Sequence, residues 1–177
     1  MSDLKKVKLN LVFISLIFII LFGCKEKKII IDETPPISEQ AIEKFTITQT
    51  NEGKLKMILE AESATINEET QIANLKLPIV KFYNNGGYAS TLVAERAKIN
   101  METYDIQGVG KCTIDTIDNE QLQTTDLMYD ASKELIYSNR DIVITNPGQK
   151  IYGTSFHSDT KLDNIIIKDQ RTVIDEV

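Results

Sequence analysis

A repeat of about 30 residues constrains the fold of this chain more than any other feature. The segment INEET at residues 66–70 resembles INMET at residues 99–103, an offset of 33. A unit of this length without a helical period predicts stacked β-hairpins, because each hairpin buries its apolar face only against its neighbours. Further residue pairs recur at offsets of 30 or 29, namely Ile106/Ile136, Ile114/Ile144, Asp130/Asp159 and Ile136/Ile165.

Residues 121–145 show the composition of this unit most clearly. Asp, Asn and Ser residues are concentrated at 130–133 and 138–140, where their side chains can bond nearby backbone groups. We therefore predict that the chain turns at both polar segments. The runs between them are rich in β-branched and aromatic residues, which suit half-buried strands. These runs are 122–126, 127–129, 135–137 and 141–145.

The first 24 residues predict an export signal. Three lysines precede an apolar core at residues 11–22, and the tetrapeptide LFGC ends at Cys24. This order is typical of secretory signals, and the tetrapeptide resembles the bacterial lipobox, whose cysteine is lipidated. The alternative is an uncleaved anchor helix, but such a helix needs about 17 to 25 apolar residues and this core is shorter. We predict a signal peptide over 1–23 and lipid attachment at Cys24.

The remainder of the chain is acidic and long enough for one domain. Removal of residues 1–23 takes away three lysines and one aspartate, which changes the net charge from −6 to −8. Such a charge argues against nucleic-acid binding, which requires a basic patch. Pro35 and Pro36 favour an extended linker, so we predict a tether over 24–40 and one domain over 41–177. Ser38 is placed to cap a single helical turn over 38–44.

Alternating polar and apolar residues predict strands throughout the domain. In residues 55–62 the apolar side chains share one face and charged side chains dominate the other. The turn sequence NNGG at 84–87 predicts a hairpin, because this kind of turn requires positive φ. A second turn is predicted at Asn146-Pro147-Gly148. The other predicted strands are 45–50, 79–83, 88–94, 111–117, 150–156 and 161–167.

Several of these segments resemble the LptC family. The resemblance is carried by AESA at 61–64, LPIVKFY at 77–83, LVAE at 92–95, QLQT at 121–124, LMYD at 127–130 and IYG at 151–153. It implies an all-β fold, a twisted antiparallel β-jellyroll of stacked hairpins that is open along one side. That family is the periplasmic, membrane-tethered component of lipopolysaccharide export. Many members have an N-terminal transmembrane helix where this chain has a lipobox, so the choice of membrane stays open, with the inner membrane as our expectation.

The resemblance implies that the apolar interior holds lipid acyl chains. An incompletely closed sheet leaves an apolar trough, in which each buried methylene contributes about 0.8 kcal/mol. The implied partners are lipopolysaccharide, the inner-membrane ABC transporter that supplies it, and an LptA-like protein that receives it. The predicted groove residues are Ile47, Leu55, Met57, Leu59, Val80, Phe82, Leu92, Ile114, Ile142 and Ile144.

Two questions stay open in the sequence. The inward residues of the strands can also fill a closed core, which would make the protein a structural envelope lipoprotein that scaffolds other proteins. The second question concerns the sheet edges, because unpaired edge strands recruit other strands. The last predicted strand, 161–167, is therefore the expected docking edge for an LptA-like protein.

No pattern in the sequence predicts an enzyme, a cofactor site or a metal site. His157 is the only histidine, and a neighbouring serine does not make a triad, which assembles residues that are distant in sequence. Cys112 is the only cysteine left once Cys24 is lipidated, so no intramolecular disulfide can form. We expect His157 to be exposed and Cys112 to be a small inward hydrophobe.

Overall fold

A computed structural model describes residues 39–174, which form a single antiparallel sheet of 13 strands. The predicted signal peptide, Cys24 and almost all of the predicted tether lie outside the described residues. Within residues 39–174, no helix is long and apolar enough to cross a membrane. The strands are β1 (Glu39–Asn51), β2 (Lys54–Asn67), β3 (Ile72–Lys76), β4 (Ile79–Asn84), β5 (Gly87–Asn100), β6 (Ile106–Thr116), β7 (Gln121–Asp130), β8 (Leu135–Ser138), β9 (Ile142–Asn146), β10 (Gln149–Gly153), β11 (Ser155–Asp159), β12 (Ile166–Lys168) and β13 (Arg171–Ile174).

Several of the short strands are segments of one longer strand. β3 and β4 both pair with β2 on one side and with β5 on the other, so they continue each other across a kink. In the same way, the two members of β8/β9, of β10/β11 and of β12/β13 are segments of one longer strand, because both members pair with the same neighbouring strand. Thirteen strands become nine when each of these four pairs is counted once, and the nine follow one another as an up-and-down meander.

The kinks divide the sheet into two halves. Positive φ angles at Lys44, Leu77, Gly110 and Asp169 and register shifts in the β5–β6 and β6–β7 pairings lie at the line of kinks. We call the half that contains β3, β8, β11 and β12 leaf A, and the half that contains β4, β9, β10 and β13 leaf B. The long strands β1, β2, β5, β6 and β7 run through both leaves.

The two leaves face each other across a shared core. The ring of Phe82 in leaf B lies 4.7 Å, centroid to centroid, from the ring of Tyr129 in leaf A. Lys56 Nζ of leaf B lies 2.6 Å from Glu134 Oε1, in the turn that leads into β8 of leaf A. The inward apolar residues of both leaves belong to one buried cluster. The domain is therefore a jellyroll in which the two leaves are joined along the line of kinks. On the side opposite the kinks, the hairpin turns of leaf A face those of leaf B.

The repeat predicted from sequence corresponds to this meander. β2 and β5 span 54–67 and 87–100, so the offset of 33 relates two whole strands. The offset of 30 relates β6 to the β8/β9 strand. The hairpin predicted at 84–87 is also confirmed, with Asn85 and Gly86 both at positive φ.

Three local predictions were wrong. Residues 39–44 form no helical turn, because 39–43 pair with 63–67 of β2. Residues 138–140 do not reverse the chain, since β8 and β9 both pair with β7 in the same direction. Residues 160–164 form a turn and a bend rather than the start of a strand, and β12 begins only at Ile166.

Candidate functional site: the apolar interior

The most continuous feature of the interior is a row of aliphatic side chains across leaf B. Each member is the direct cross-strand partner of the next, so the row crosses eight strands without a polar interruption. Directly opposed apolar pairs of this kind are the unit of sheet stabilisation. The row consists of Ile47, Leu59, Val80, Leu92, Ile114, Leu122, Ile144 and Ile151.

All ten predicted groove residues lie in leaf B, and six of them belong to this row. Met57 and Phe82 oppose each other two residues further from the kinks than Leu59 and Val80. Ile142 is buried opposite Gly153, and Leu55 is half-buried opposite Thr50. Eight of the ten have exposed fractions between 0% and 3%, while Ile47 and Leu55 are partly exposed. The structure thus brings the ten residues together on one wall of a closed interior.

The opposing wall comes from leaf A, and the sequence interpretation missed it. Its main row is Ile66, Ala73, Ile99, Ile106, Tyr129, Ile136 and Ser158, each paired with the next. A second row runs through Ala64, Leu75, Ala97, Gly108 and Leu127. The repeat contained part of the signal that would have found this wall, because the repeat-related pairs Ile66/Ile99 and Ile106/Ile136 lie in its main row.

The side of the domain opposite the kinks is held closed by contacts between the leaves. The Phe82 and Tyr129 rings meet there at an interplanar angle of 51°. Burial raises the pKa of Tyr129 to about 12, with the carboxylate of Glu134 as the next contribution, so its hydroxyl is neutral at physiological pH. Lys56 and Glu134 form an ion pair beside this ring, with side chains 20% and 45% exposed. An acyl chain that enters the interior from this side must part these groups.

The residues considered for chemistry lie apart from one another. His157 is exposed on β11, where it pairs with Tyr137 and Ile166 on neighbouring strands. Cys112 is fully buried, and burial raises the pKa of its thiol to about 11. It pairs with Ala94 and Thr124, as expected for an inward hydrophobe. Among residues 39–174, no group of three His, Cys, Asp or Glu residues is arranged to hold a metal ion.

Two edges of the sheet have a free side within the described part of the chain. β1 pairs only with β2, while β12 and β13 pair only with β11 and β10. The second edge carries exposed apolar side chains, with Ile166, Val173 and Ile174 at 62%, 42% and 73% exposed. Beside β12, a cleft of about 600 Å³ on the outer face of leaf A includes Leu135 and Tyr137.

Comparison with known proteins agrees with this architecture. Among solved structures, the chain is similar to LptH of Pseudomonas aeruginosa, described as the LptA-homologous periplasmic component of a lipopolysaccharide transport device. The TM-score is 0.54 and the sequence identity 11%, over 68% of this chain and 95% of LptH, so this likeness shows the fold alone. No curated protein sequence matches the chain. The family described as lipopolysaccharide-assembly, LptC-related, matches residues 12–175, and the chain therefore belongs to the LptC-related family.

Proposed function

We propose that this protein is a membrane-tethered, lipid-binding component of lipopolysaccharide export. Family membership implies a part in lipopolysaccharide transport at the cell envelope. In our proposal the protein is lipidated at Cys24, faces the periplasm and is anchored at the inner membrane. It takes lipid from the inner-membrane ABC transporter and passes it to an LptA-like bridge. The role is transport, so the interior binds acyl chains and performs no catalysis.

The eight-strand aliphatic row of leaf B is the observation that carries the proposal. Opposed apolar pairs also stabilise a closed core, and in this sheet they continue across eight strands without a polar residue. An aligned row offers an extended chain continuous apolar contact along its length. Each methylene that moves from water to this surface contributes about 0.8 kcal/mol. The row is therefore well suited to an acyl chain that lies across the strands.

The closed state of the interior favours a second function, a structural lipoprotein that scaffolds envelope proteins. Met57, Leu59 and Ile114 are each 0% exposed, and the leaves meet at Phe82 and Tyr129. In this alternative the rows of both leaves only pack against each other, as buried apolar residues ordinarily do. The two functions differ in whether the leaves separate to admit lipid.

Site-specific photo-crosslinking in cells tests the lipid-binding function. A photoreactive residue replaces Leu59, Val80 or Ile142 in the full-length protein, and adducts with lipopolysaccharide are detected. Val93, which is 40% exposed on the outer face of β5, serves as the matched control. We expect adducts at the interior positions and none at Val93. Correctly folded variants without an adduct at any interior position would favour the scaffold instead.

The edge formed by β12 and β13 is our candidate docking site for the LptA-like partner. This replaces the sequence-predicted edge at 161–167, most of which is a turn. Lysine on an edge strand opposes pairing with another chain. We expect the change Ile166→Lys to reduce recovery of the partner in a pull-down. The control Ile117→Lys changes an equally exposed residue, at 64% against 62%, in the turn after β6. Equal recovery with both variants would exclude this edge.

A further inference from the structure

Among residues 39–174, six hydroxyl side chains are buried in the otherwise apolar interior, and they form two groups. Near the kinks, Thr124 Oγ1 lies 3.2 Å from Ser138 Oγ and donates to the carbonyl of Asp141 at 3.1 Å. Ser138 Oγ also accepts from the backbone N–H of Arg140. These bonds satisfy backbone groups that the interruption between β8 and β9 leaves unpaired, so this first group has a structural role.

The second group, which we call the hydroxyl cluster, consists of Ser90, Thr116, Ser158 and Thr160. Leaf B has a second row, which begins at Met57 and Phe82. Ser90 and Thr116 oppose each other on β5 and β6 and end this second row. Ser158 ends the main row of leaf A, next to Ile136. Ser90 Oγ donates to the carbonyl of Thr160, which joins the two leaves. One row of each leaf therefore ends in hydroxyls at the place where the leaves meet.

Ser158 is the member of this cluster whose fully buried hydroxyl has no hydrogen-bond partner. Its Oγ has no partner among the described residues, although the residue is only 1% exposed. The other orphaned buried oxygens within residues 39–174, on Gln49 and Asn146, belong to partly exposed side chains near strand ends. A buried hydroxyl without a partner costs about 1–3 kcal/mol of desolvation, so its retention in an apolar wall requires an explanation.

A short segment contains Thr160 and contacts Ser90 of the hydroxyl cluster. Residues 160–165, which we call the strap, connect β11 to β12. Leu162 of the strap is 4% exposed and joins the buried core although its φ of +64° is unfavourable for a residue with a side chain. Near the strap, burial raises the pKa of Glu120, with further contributions from Asp118 and then from Asp163 of the strap. Like charges thus face each other where the strap closes the interior.

We propose that the hydroxyl cluster is a subsite for a hydrogen-bonding group on a lipid, of the class of an ester or amide carbonyl at the root of an acyl chain. This inference rests on the proposed lipid-binding function. The chain lies along the aliphatic rows, and its carbonyl accepts a hydrogen bond from Ser158 Oγ once the side chain of Leu162 moves aside. The subsite fixes the orientation of the lipid, with the chain root beneath the strap.

Matched lipids that differ only in the carbonyl test the subsite. The full-length protein in detergent is titrated with a diester phospholipid and with its diether analogue, and bound lipid is counted by native mass spectrometry. We expect the unmodified protein to prefer the diester by roughly threefold to tenfold, as one hydrogen bond would give. The change Ser158→Ala removes this preference, while Ser158→Thr keeps it. Ser63→Ala, on the outward face of β2, is the control and leaves the preference unchanged.

The outcomes separate the subsite from the lipid-binding function itself. Equal binding of both lipids by the unmodified protein would overturn the subsite and leave lipid binding intact. A preference that survives Ser158→Ala would overturn its assignment to Ser158. Binding of neither lipid would overturn both proposals. The stability of the lipid-free protein is a second readout, because Ser158→Ala removes an unpaired hydroxyl and is expected to raise the urea midpoint.

Discussion

Leaf A and leaf B build the two walls of one interior from different side chains. Leaf B supplies large flexible residues such as Met57, Leu59 and Phe82, each at most 1% exposed. Leaf A places small residues between its larger ones, with Ala73, Ala97 and Gly108 buried in adjacent strands. Small residues have no rotamers to change, whereas long side chains can re-pack. We infer that leaf B adapts to a bound chain and that leaf A acts as a fixed wall.

Removing the largest fully buried side chain of leaf B is expected to have the largest effect on this comparison. Phe82 is 1% exposed and its ring packs at a tilt against the ring of Tyr129 of leaf A. We expect Phe82→Ala to lower the free energy of unfolding by about 3–5 kcal/mol, through lost burial and a residual cavity. Urea denaturation measures the change. Phe82→Leu, which keeps most of the volume, is the control with a smaller loss. A loss below about 1 kcal/mol for Phe82→Ala would show that the wall is already loosely packed.

Enlarging a small residue of leaf A tests the fixed wall. Ala97 is 4% exposed and belongs to the buried core shared by the two leaves. We expect Ala97→Leu to destabilise the protein by about 1–3 kcal/mol through overpacking. Val93→Leu, at an exposed outward position of the same strand, should change stability by less than about 0.5 kcal/mol. If both variants have the same urea midpoint, leaf A is as adaptable as leaf B.

The same difference explains how much of the site could be predicted from the sequence. In β2 the inward residues are large and the outward ones mostly charged, so alternation identified Met57 and Leu59 correctly. In leaf A the inward alanines and Gly108 carry little hydrophobic signal, and this wall was missed. Alternation also specifies which face a residue occupies, but not whether two such faces close on each other.

The errors in the fold prediction have a related physical origin. A kink needs only one or two residues with unusual dihedrals, and the same polar residues also favour a reversal. Nothing local distinguishes the kink at 138–140 from the turn at 130–133, because the difference lies in pairing with β7. The strap was mistaken for a strand because its apolar Leu162 and the following isoleucines continue an extended pattern. Leu162 instead reaches the core from a turn.

The ion pair between the leaves is expected to have a smaller effect than either packing change. Lys56 Nζ and Glu134 Oε1 are 2.6 Å apart, but both side chains keep contact with water. We expect a coupling energy of about 0.2–1 kcal/mol from a double-mutant cycle with Lys56→Met and Glu134→Gln. Added salt should reduce it. Zero coupling at low ionic strength would mean that the pair does not hold the leaves together.

The smallest effect is expected where like charges meet, at Glu120 and the strap. Burial, followed by Asp118 and Asp163, raises the pKa of Glu120, so the folded protein binds a proton there more tightly than the unfolded chain. The carboxylate therefore lowers stability at neutral pH, and this cost disappears as the pH falls through the raised pKa. We expect Glu120→Gln to slow amide hydrogen exchange in residues 160–165 at pH 7 and to have no effect below about pH 4.

Glu102→Gln, in an exposed turn of leaf A, is the control. Slower exchange at both pH values would assign the effect to the amide side chain rather than to charge. Unchanged exchange at pH 7 would mean that repulsion does not loosen the strap.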